Sequence, residues 1–115
     1  MIFGIYCRKS VLNEKSESIE VQIQLCREYI YSRIDAQAEI RIYADEGFSG
    51  KNTYRPMLMR LIENIKEHKV DYVVCYRLDR ISRSVSDFSA IIELMNRNGV
   101  SFICIKEEFD TSRPM

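Results

Sequence analysis

The 115 residues carry no excess charge of either sign: Lys plus Arg is 17 and Asp plus Glu is 17. That balance excludes a generally basic nucleic-acid binder, which needs surplus cations to attract phosphate non-specifically. It leaves room for a local cationic site. Cysteine and histidine are sparse and scattered. Cys7, Cys26, Cys75 and Cys104 form no CxxC pair, and His68 is the only histidine, so a zinc site is excluded. Cys7, Cys75 and Cys104 stand inside the apolar runs FGIYC, VVCY and FICI, the pattern of small buried hydrophobes in a reducing cytoplasm. No apolar stretch approaches the length of a membrane span. The opening MIFGIYC lacks the basic n-region of a signal peptide and is too short for one. Repeats, low-complexity tracts and Gly/Ser linkers are missing as well.

What is present reads as one domain. At 46% apolar and 30% charged residues, the chain has the makeup of a globular domain long enough to bury a sizeable core. Its elements alternate. Ile2 to Cys7 is a continuous apolar run, as expected of a strand buried on both faces. Ser16 or Ser18 can cap a helix whose inward face is Ile19, Ile23, Cys26, Ile30 and Ile34. Ile40, Ile42 and Ala44 alternate with Arg41 and Tyr43 in a second strand. After the loop DEGFSGKNTY, Pro56 opens a helix with the stripe Leu58, Leu61, Ile62 and Ile65. Val70 to Tyr76 is a third strand. Ser84 or Ser86 opens a third helix with Phe88, Ile91, Ile92 and Met95 inward, Asn98-Gly99 stops it, and Val100 to Ile105 is a fourth strand.

This order predicts an α/β fold: a mostly parallel sheet of four to five strands in three layers, with helices on both faces. Crossover handedness then gathers the strand-to-helix loops at the carboxyl ends of the strands, where open α/β sheets place their sites. Three polar segments fall there: Arg8 to Ser18, Asp45 to Tyr54 and Arg77 to Ser84. They bring Arg8, Lys9 and Ser10 toward Arg77, Asp79, Arg80 and Arg83, with Arg55 following the second segment.

Arginine offers a charged planar fork suited to phosphate oxygens. Several arginines around one serine hydroxyl make a phosphoryl-transfer site, with Asp79 orienting an arginine or moving a proton. The plainer alternative is that the arginines are solvated surface groups, whose ion pairs are worth about 0–1 kcal/mol, and that Ser10 is a turn residue. Gln22, at the margin of the first helix's buried face, either reaches the site or is structural. Other chemistries on this layout fit less well. No acids follow the first strand, as a phosphoaspartate receiver requires. CYRLDR spaces its arginine at x4 instead of the x5 of cysteine phosphatases. GxGxxG is missing, and GFSGKN lacks the spacing and final hydroxyl of a phosphate-binding P-loop. Gly47 and Gly50 are read as supplying unusual backbone angles. A magnesium site from Asp45, Glu46 and Asp79 would rest on single acids from separate loops.

YCRKS, SIEVQ, DEGFSGKNTYRP, YRLDRISRS and DTSRPM occur in that order over nearly the whole chain. The set resembles the catalytic domain of serine recombinases, the resolvase/invertase family. DEGFSGKN and DTSRPM are most similar to large serine integrases and transposon recombinases. The resemblance implies that Ser10 attacks a DNA phosphodiester to give a 5′-phosphoseryl link and a free 3′-hydroxyl. It makes Arg8, Arg80 and Arg83 the phosphate-binding arginines, Asp79 the acid, and Gln22 and Arg55 further site residues. Lys9 and Arg77 complete the cationic set toward DNA. The resemblance further implies no metal or ATP, double-stranded DNA as partner, and a homodimer that assembles into a tetramer. On this reading residues 1–115 are a catalytic domain without the family's long dimerisation helix and DNA-binding domains, weakly associated and inactive alone. Residues 46–53 and those around Ser10 are expected to be mobile, with the arginines not yet converged. The alternative is a non-catalytic relative that uses the same edge to bind an anion or to regulate assembly.

Overall fold

The computed structural model describes residues 1–10, 18–48, 55–78 and 85–111. Five strands, β1 (Ile2–Ser10), β2 (Glu39–Phe48), β3 (Tyr72–Cys75), β4 (Ser101–Cys104) and β5 (Phe109–Asp110), form one sheet in the order β2-β1-β3-β4-β5. All neighbours are parallel except β4 and β5. Helices α1 (Ile19–Arg33), α2 (Pro56–Lys66) and α3 (Val85–Arg97) connect them. The α/β expectation, its three layers and its five-strand limit therefore hold.

Side-chain alternation sorts the core into two clusters. Phe3, Ile5 and Cys7 of β1, with Val74 and Ile103, pack under Cys26 and Ile30 of α1. Tyr6, Tyr43, Val73, Cys75, Phe102 and Cys104 pack on the opposite face under α2 and α3. Gly4 lies where α2 comes nearest: a Cβ there would sit 3.2 Å from Leu61 Cδ1 and 3.2 Å from Tyr43 Cε2. Among the described residues no helix is long and apolar enough to cross a membrane.

Boundaries differ from expectation in several places: β3 covers Tyr72–Cys75 of the expected Val70 to Tyr76, and β4 covers Ser101–Cys104 of the expected Val100 to Ile105. β1 does not end at Cys7 but runs to Ser10, and β2 runs through Asp45 and Glu46 to Phe48, so the first polar loop loses three residues and the second loses four. Arg8 stands opposite Asp45 and Lys9 opposite Glu46 in the ladder. Main-chain pairing continues there past the apolar pattern, and the Gln22 side chain bonds the Arg8 backbone as well. Next, Ser86 lies within α3, which begins at Val85, so it is not the cap; Ser84 is outside the described residues. Finally, β5 escaped notice because two residues carry no periodicity. It is held by Thr111, whose hydroxyl accepts from Phe102 N–H at 2.8 Å, and by Phe109, 6.0 Å from the Phe102 ring and 6.1 Å from the Phe88 ring.

Two helices end in the same motif with different residues. After α3, Val100 N–H reaches Met95 O and Gly99 N–H reaches Asn96 O, with Gly99 at φ 70°. After α2, Lys69 N–H reaches Asn64 O and His68 N–H reaches Ile65 O, with His68 at φ 59°. Both are Schellman closures, which favour glycine in the left-handed position. An L side chain there costs about 1–2 kcal/mol, offset partly by glycine's unfolded-state entropy. His68→Gly is therefore expected to stabilise the domain by about 0.5–1 kcal/mol, read as a higher urea midpoint with unchanged slope.

All four cysteines are buried free thiols. Burial pushes the Cys26 and Cys75 thiols far above their ordinary value of 9.0. Folded-state pKa values raised in this way mean that stability is fully present below pH 9 and is lost as pH rises, because the unfolded chain releases these protons first. Two such thiols predict a loss of about 3 kcal/mol between pH 8 and pH 10. Urea melts at the two pH values check it; equal midpoints would show that the thiols are not buried as described.

Candidate active site at the strand carboxyl ends

The connection from β1 leads through α1 to β2 on one side, and β3 leads through α3 to β4 on the other. The strand order thus reverses between β1 and β3, the position where open α/β sheets form their ligand crevice. The ladder itself opens there. β1 pairs with β3 only from Phe3 to Ile5, then continues to Ser10 with β2 alone. Arg8, Lys9 and Ser10, still paired with β2, and Tyr76, Arg77 and Leu78, which follow β3, therefore lie beyond the last β1–β3 pair.

Arg8 is fixed from the α1 face. Gln22 is fully buried, where the sequence placed it only at the helix margin. Its Oε1 accepts from Arg8 N–H at 3.4 Å and its Nε2 donates to Arg8 O at 3.1 Å. A buried amide that satisfies both its donor and acceptor on one residue's backbone acts as a clamp. Ser18 starts this helix by accepting from Val21 N–H at 3.1 Å, which sets the rotation that carries Gln22 inward. Ser10 ends β1 just past an irregularity in the ladder: Lys9 pairs with Glu46 and Ser10 with Phe48, leaving Gly47 as an extra residue. Such bulges bend a strand and re-aim the residues beyond them; Gly50, read together with Gly47 from the sequence, lies outside the described residues.

The opposite face carries a second fixed network. Asp45, only 2% exposed, accepts from Met57 N–H at 3.0 Å, Leu58 N–H at 3.1 Å and Tyr6 OH at 2.8 Å. Arg55 occupies the N-cap position of α2 but makes no capping bond with its side chain. Asp45 supplies the cap from β2 instead, and its negative charge suits the positive end of the helix. Arg55 then donates from Nε to Tyr6 OH at 2.9 Å and lies over the Tyr6 ring at 5.1 Å. Burial, opposed by the Arg55 charge and reinforced by Asp45, raises the Tyr6 phenol far above its ordinary value. Tyr6 thus stays protonated and links donor Arg55 to acceptor Asp45.

Half-buried Arg77 follows β3, and Leu78 is the last described residue before the segment 79–84. Asp79, Arg80 and Arg83 lie outside the described residues, as do 49–53 of the segment expected to be mobile; 46–48 belong to β2. Of the residues singled out from sequence, Arg8, Lys9, Ser10 and Gln22 converge on the end of β1. Arg55 is tied to the same strand through Tyr6, and Arg77 leaves the adjacent β3. Asp45 and Tyr6 were missed as a pair. The available clue was an uncapped helix: Arg55, and not Ser, Thr, Asp or Asn, stands immediately before Pro56, so the orphan amides of α2 needed another acceptor.

The sequence and the fold are similar to those of known proteins. Residues 3–115 match the family described as Resolvase, N terminal domain. The Tn917 transposon resolvase of Enterococcus faecalis is 33% identical over 115 residues, covering 100% of this chain and 54% of that protein. The crystal structure of the N-terminal catalytic domain of TP901-1 integrase superposes with a TM-score of 0.84 at 34% identity, covering 100% of this chain and 85% of that one. A resolvase family site-specific recombinase from Streptococcus pneumoniae superposes with a TM-score of 0.75 at 28% identity, over 97% and 78% of the two chains. The chain spans about half or less of the curated relatives it matches, down to 22% of a Bacillus subtilis (strain 168) protein 31% identical over 113 residues.

Proposed function

Because this chain belongs to the resolvase N-terminal domain family of serine recombinases, we propose that it is the catalytic domain of a site-specific DNA recombinase. The observation that supports this most is the position of Ser10 at the end of β1, two residues beyond the clamped Arg8, beside the strand-order reversal.

In this reading Ser10 Oγ attacks the phosphorus of a DNA phosphodiester and loses its proton as the new P–O bond forms. The bond to the 3′ oxygen breaks, and that oxygen leaves with the electron pair and takes up a proton. One phosphoester bond replaces another, so the energy needed for rejoining stays in the phosphoseryl link. Arg8, Arg80 and Arg83 neutralise the phosphoryl oxygens where negative charge develops, which is where fixed cations contribute most. Asp79 moves the proton or orients an arginine. Gln22 holds Arg8, Arg55 adds positive charge from α2, and Lys9 and Arg77 contact flanking phosphates. Double-stranded DNA is the substrate, in the cytoplasm. A dimer that pairs into a tetramer provides strand exchange. Residues 1–115 supply the chemistry, and target recognition and the main dimer contact are assigned to other segments of the complete protein.

The test is to incubate the complete protein with DNA carrying its site and quench in detergent. The expected product is protein linked to the 5′ end of the cut strand, with a 3′-hydroxyl that a polymerase can extend. DNA binding with no adduct at any site would favour the anion-binding, non-catalytic reading.

A further inference from the structure

We propose that Glu107, in the turn between β4 and β5, is a positioning residue that fixes Leu78, the residue from which the chain runs on to Asp79 and Arg80. This rests on the recombinase reading for its catalytic consequence, though not for its geometry. Glu107 Oε2 accepts from Leu78 N–H at 3.2 Å and from the Cys104 thiol at 2.8 Å. Leu78 is helical and directly precedes Asp79 and Arg80. Amide donors at the start of a helical stretch lack a partner within it, and a carboxylate brought from another element supplies the acceptor for Leu78.

The surroundings show a built contact instead of a chance one. The chain beyond β4 stays bonded to the chain beyond β3: Ile105 N–H donates to Cys75 O at 3.1 Å and Lys106 N–H to Tyr76 O at 2.9 Å. The Cys75 thiol donates to Arg77 O at 3.3 Å. With Leu78 held by Glu107, four successive residues leaving β3 are each tied by a hydrogen bond. The turn that carries Glu107 closes with Glu108 N–H on Ile105 O, and Glu108 sits at φ 55°, a conformation that L side chains disfavour. Glu107 is itself exposed, so packing does not demand an acid there; the bond to Leu78 is what uses it. Gln22 fixes the Arg8 half of the site in the same manner, by a side chain bonded to backbone. Glu107 does so for the other half.

The experiment uses the complete protein. In Glu107→Ala, amide exchange at Leu78 is expected to accelerate at least about tenfold while core amides of β1 and β3 keep their protection. Single-turnover adduct formation at saturating DNA is expected to slow by about 10- to 100-fold with DNA affinity unchanged, because misplacing a catalytic group by about 1 Å costs that much. Glu107→Gln keeps an oxygen acceptor for Leu78 and is expected to recover the rate to within about threefold. An Ala variant with normal Leu78 exchange, or with normal cleavage, overturns the proposal. Equal losses in Ala and Gln overturn it too, since the charge and not the acceptor would then matter. If the unmodified protein forms no adduct, the recombinase reading fails, and Leu78 exchange alone decides whether Glu107 holds the segment.

Discussion

Ser10→Ala is expected to abolish the covalent protein–DNA adduct, a loss of about a thousandfold or more, while leaving DNA binding and stability nearly unchanged. The size follows from the role: removing a nucleophile eliminates the bond-forming atom, and no neighbouring interaction substitutes for it. The specificity follows from the position. Ser10 is the last residue of β1, paired with Phe48 beyond the bulge, past the last buried strand residue Cys7. Alanine there deletes one oxygen and keeps the main-chain pairing. Adduct formation and DNA binding are measured on the same preparation. Adduct persisting at the unmodified level would move the nucleophile to another hydroxyl, and loss of both binding and folding would make Ser10 a structural residue.

Asp45→Ala carries the largest expected effect on the fold itself, about 3 kcal/mol of destabilisation and a fall in Tm on the order of 10 °C. Asp45 is a buried carboxylate that accepts three hydrogen bonds, from Tyr6 OH, Met57 N–H and Leu58 N–H. Its removal uncaps α2 and leaves a buried phenol without its acceptor. An N-cap loss alone costs about 1 kcal/mol, and bonds to charged acceptors are stronger than neutral ones. Asp45→Asn keeps one acceptor oxygen and should lose roughly half as much. Urea unfolding checks both. The same variants should slow adduct formation beyond what stability explains, because Arg55 is placed by Tyr6, and Tyr6 by Asp45. A stability loss below about 0.5 kcal/mol for Asp45→Ala would sink this account.

The layout was legible because burial on both faces writes itself as continuous apolar runs. IFGIYC, VVCY and FICI could only be interior strands of a parallel sheet, and their order put the polar ends together. That logic put Arg8 and Ser10 at the carboxyl end of β1, where the structure has them. Gln22 was half found: periodicity located it beside the inward face, but an amide's burial depends on which backbone groups it meets, here Arg8. The extensions of β1 and β2 were hidden because main-chain pairing continues through Arg8, Lys9, Asp45 and Glu46, where the apolar pattern stops. Asp45 and Glu107 were hidden for a common reason. Each caps a helical segment remote in sequence, with 12 residues separating Asp45 from Met57 and 29 separating Leu78 from Glu107. Local capping patterns cannot reveal a cap supplied across the fold.

The short β1–β3 ladder has a mechanical meaning. Only Phe3, Gly4 and Ile5 join the two strands, while β1 and β2 remain zipped to Ser10. Ser10, Arg8, Gln22 and Arg55 therefore ride together on one arm, and Arg77, Leu78 and Glu107 on another, like the blades of shears joined near the handle. Each arm is stiffened separately, one by Gln22 and Asp45, the other by Glu107. Among the described residues, main-chain pairing beyond Ile5 runs within each arm, and the buried cluster that holds Cys7 and Cys26, with Tyr76 against it, packs the two arms together.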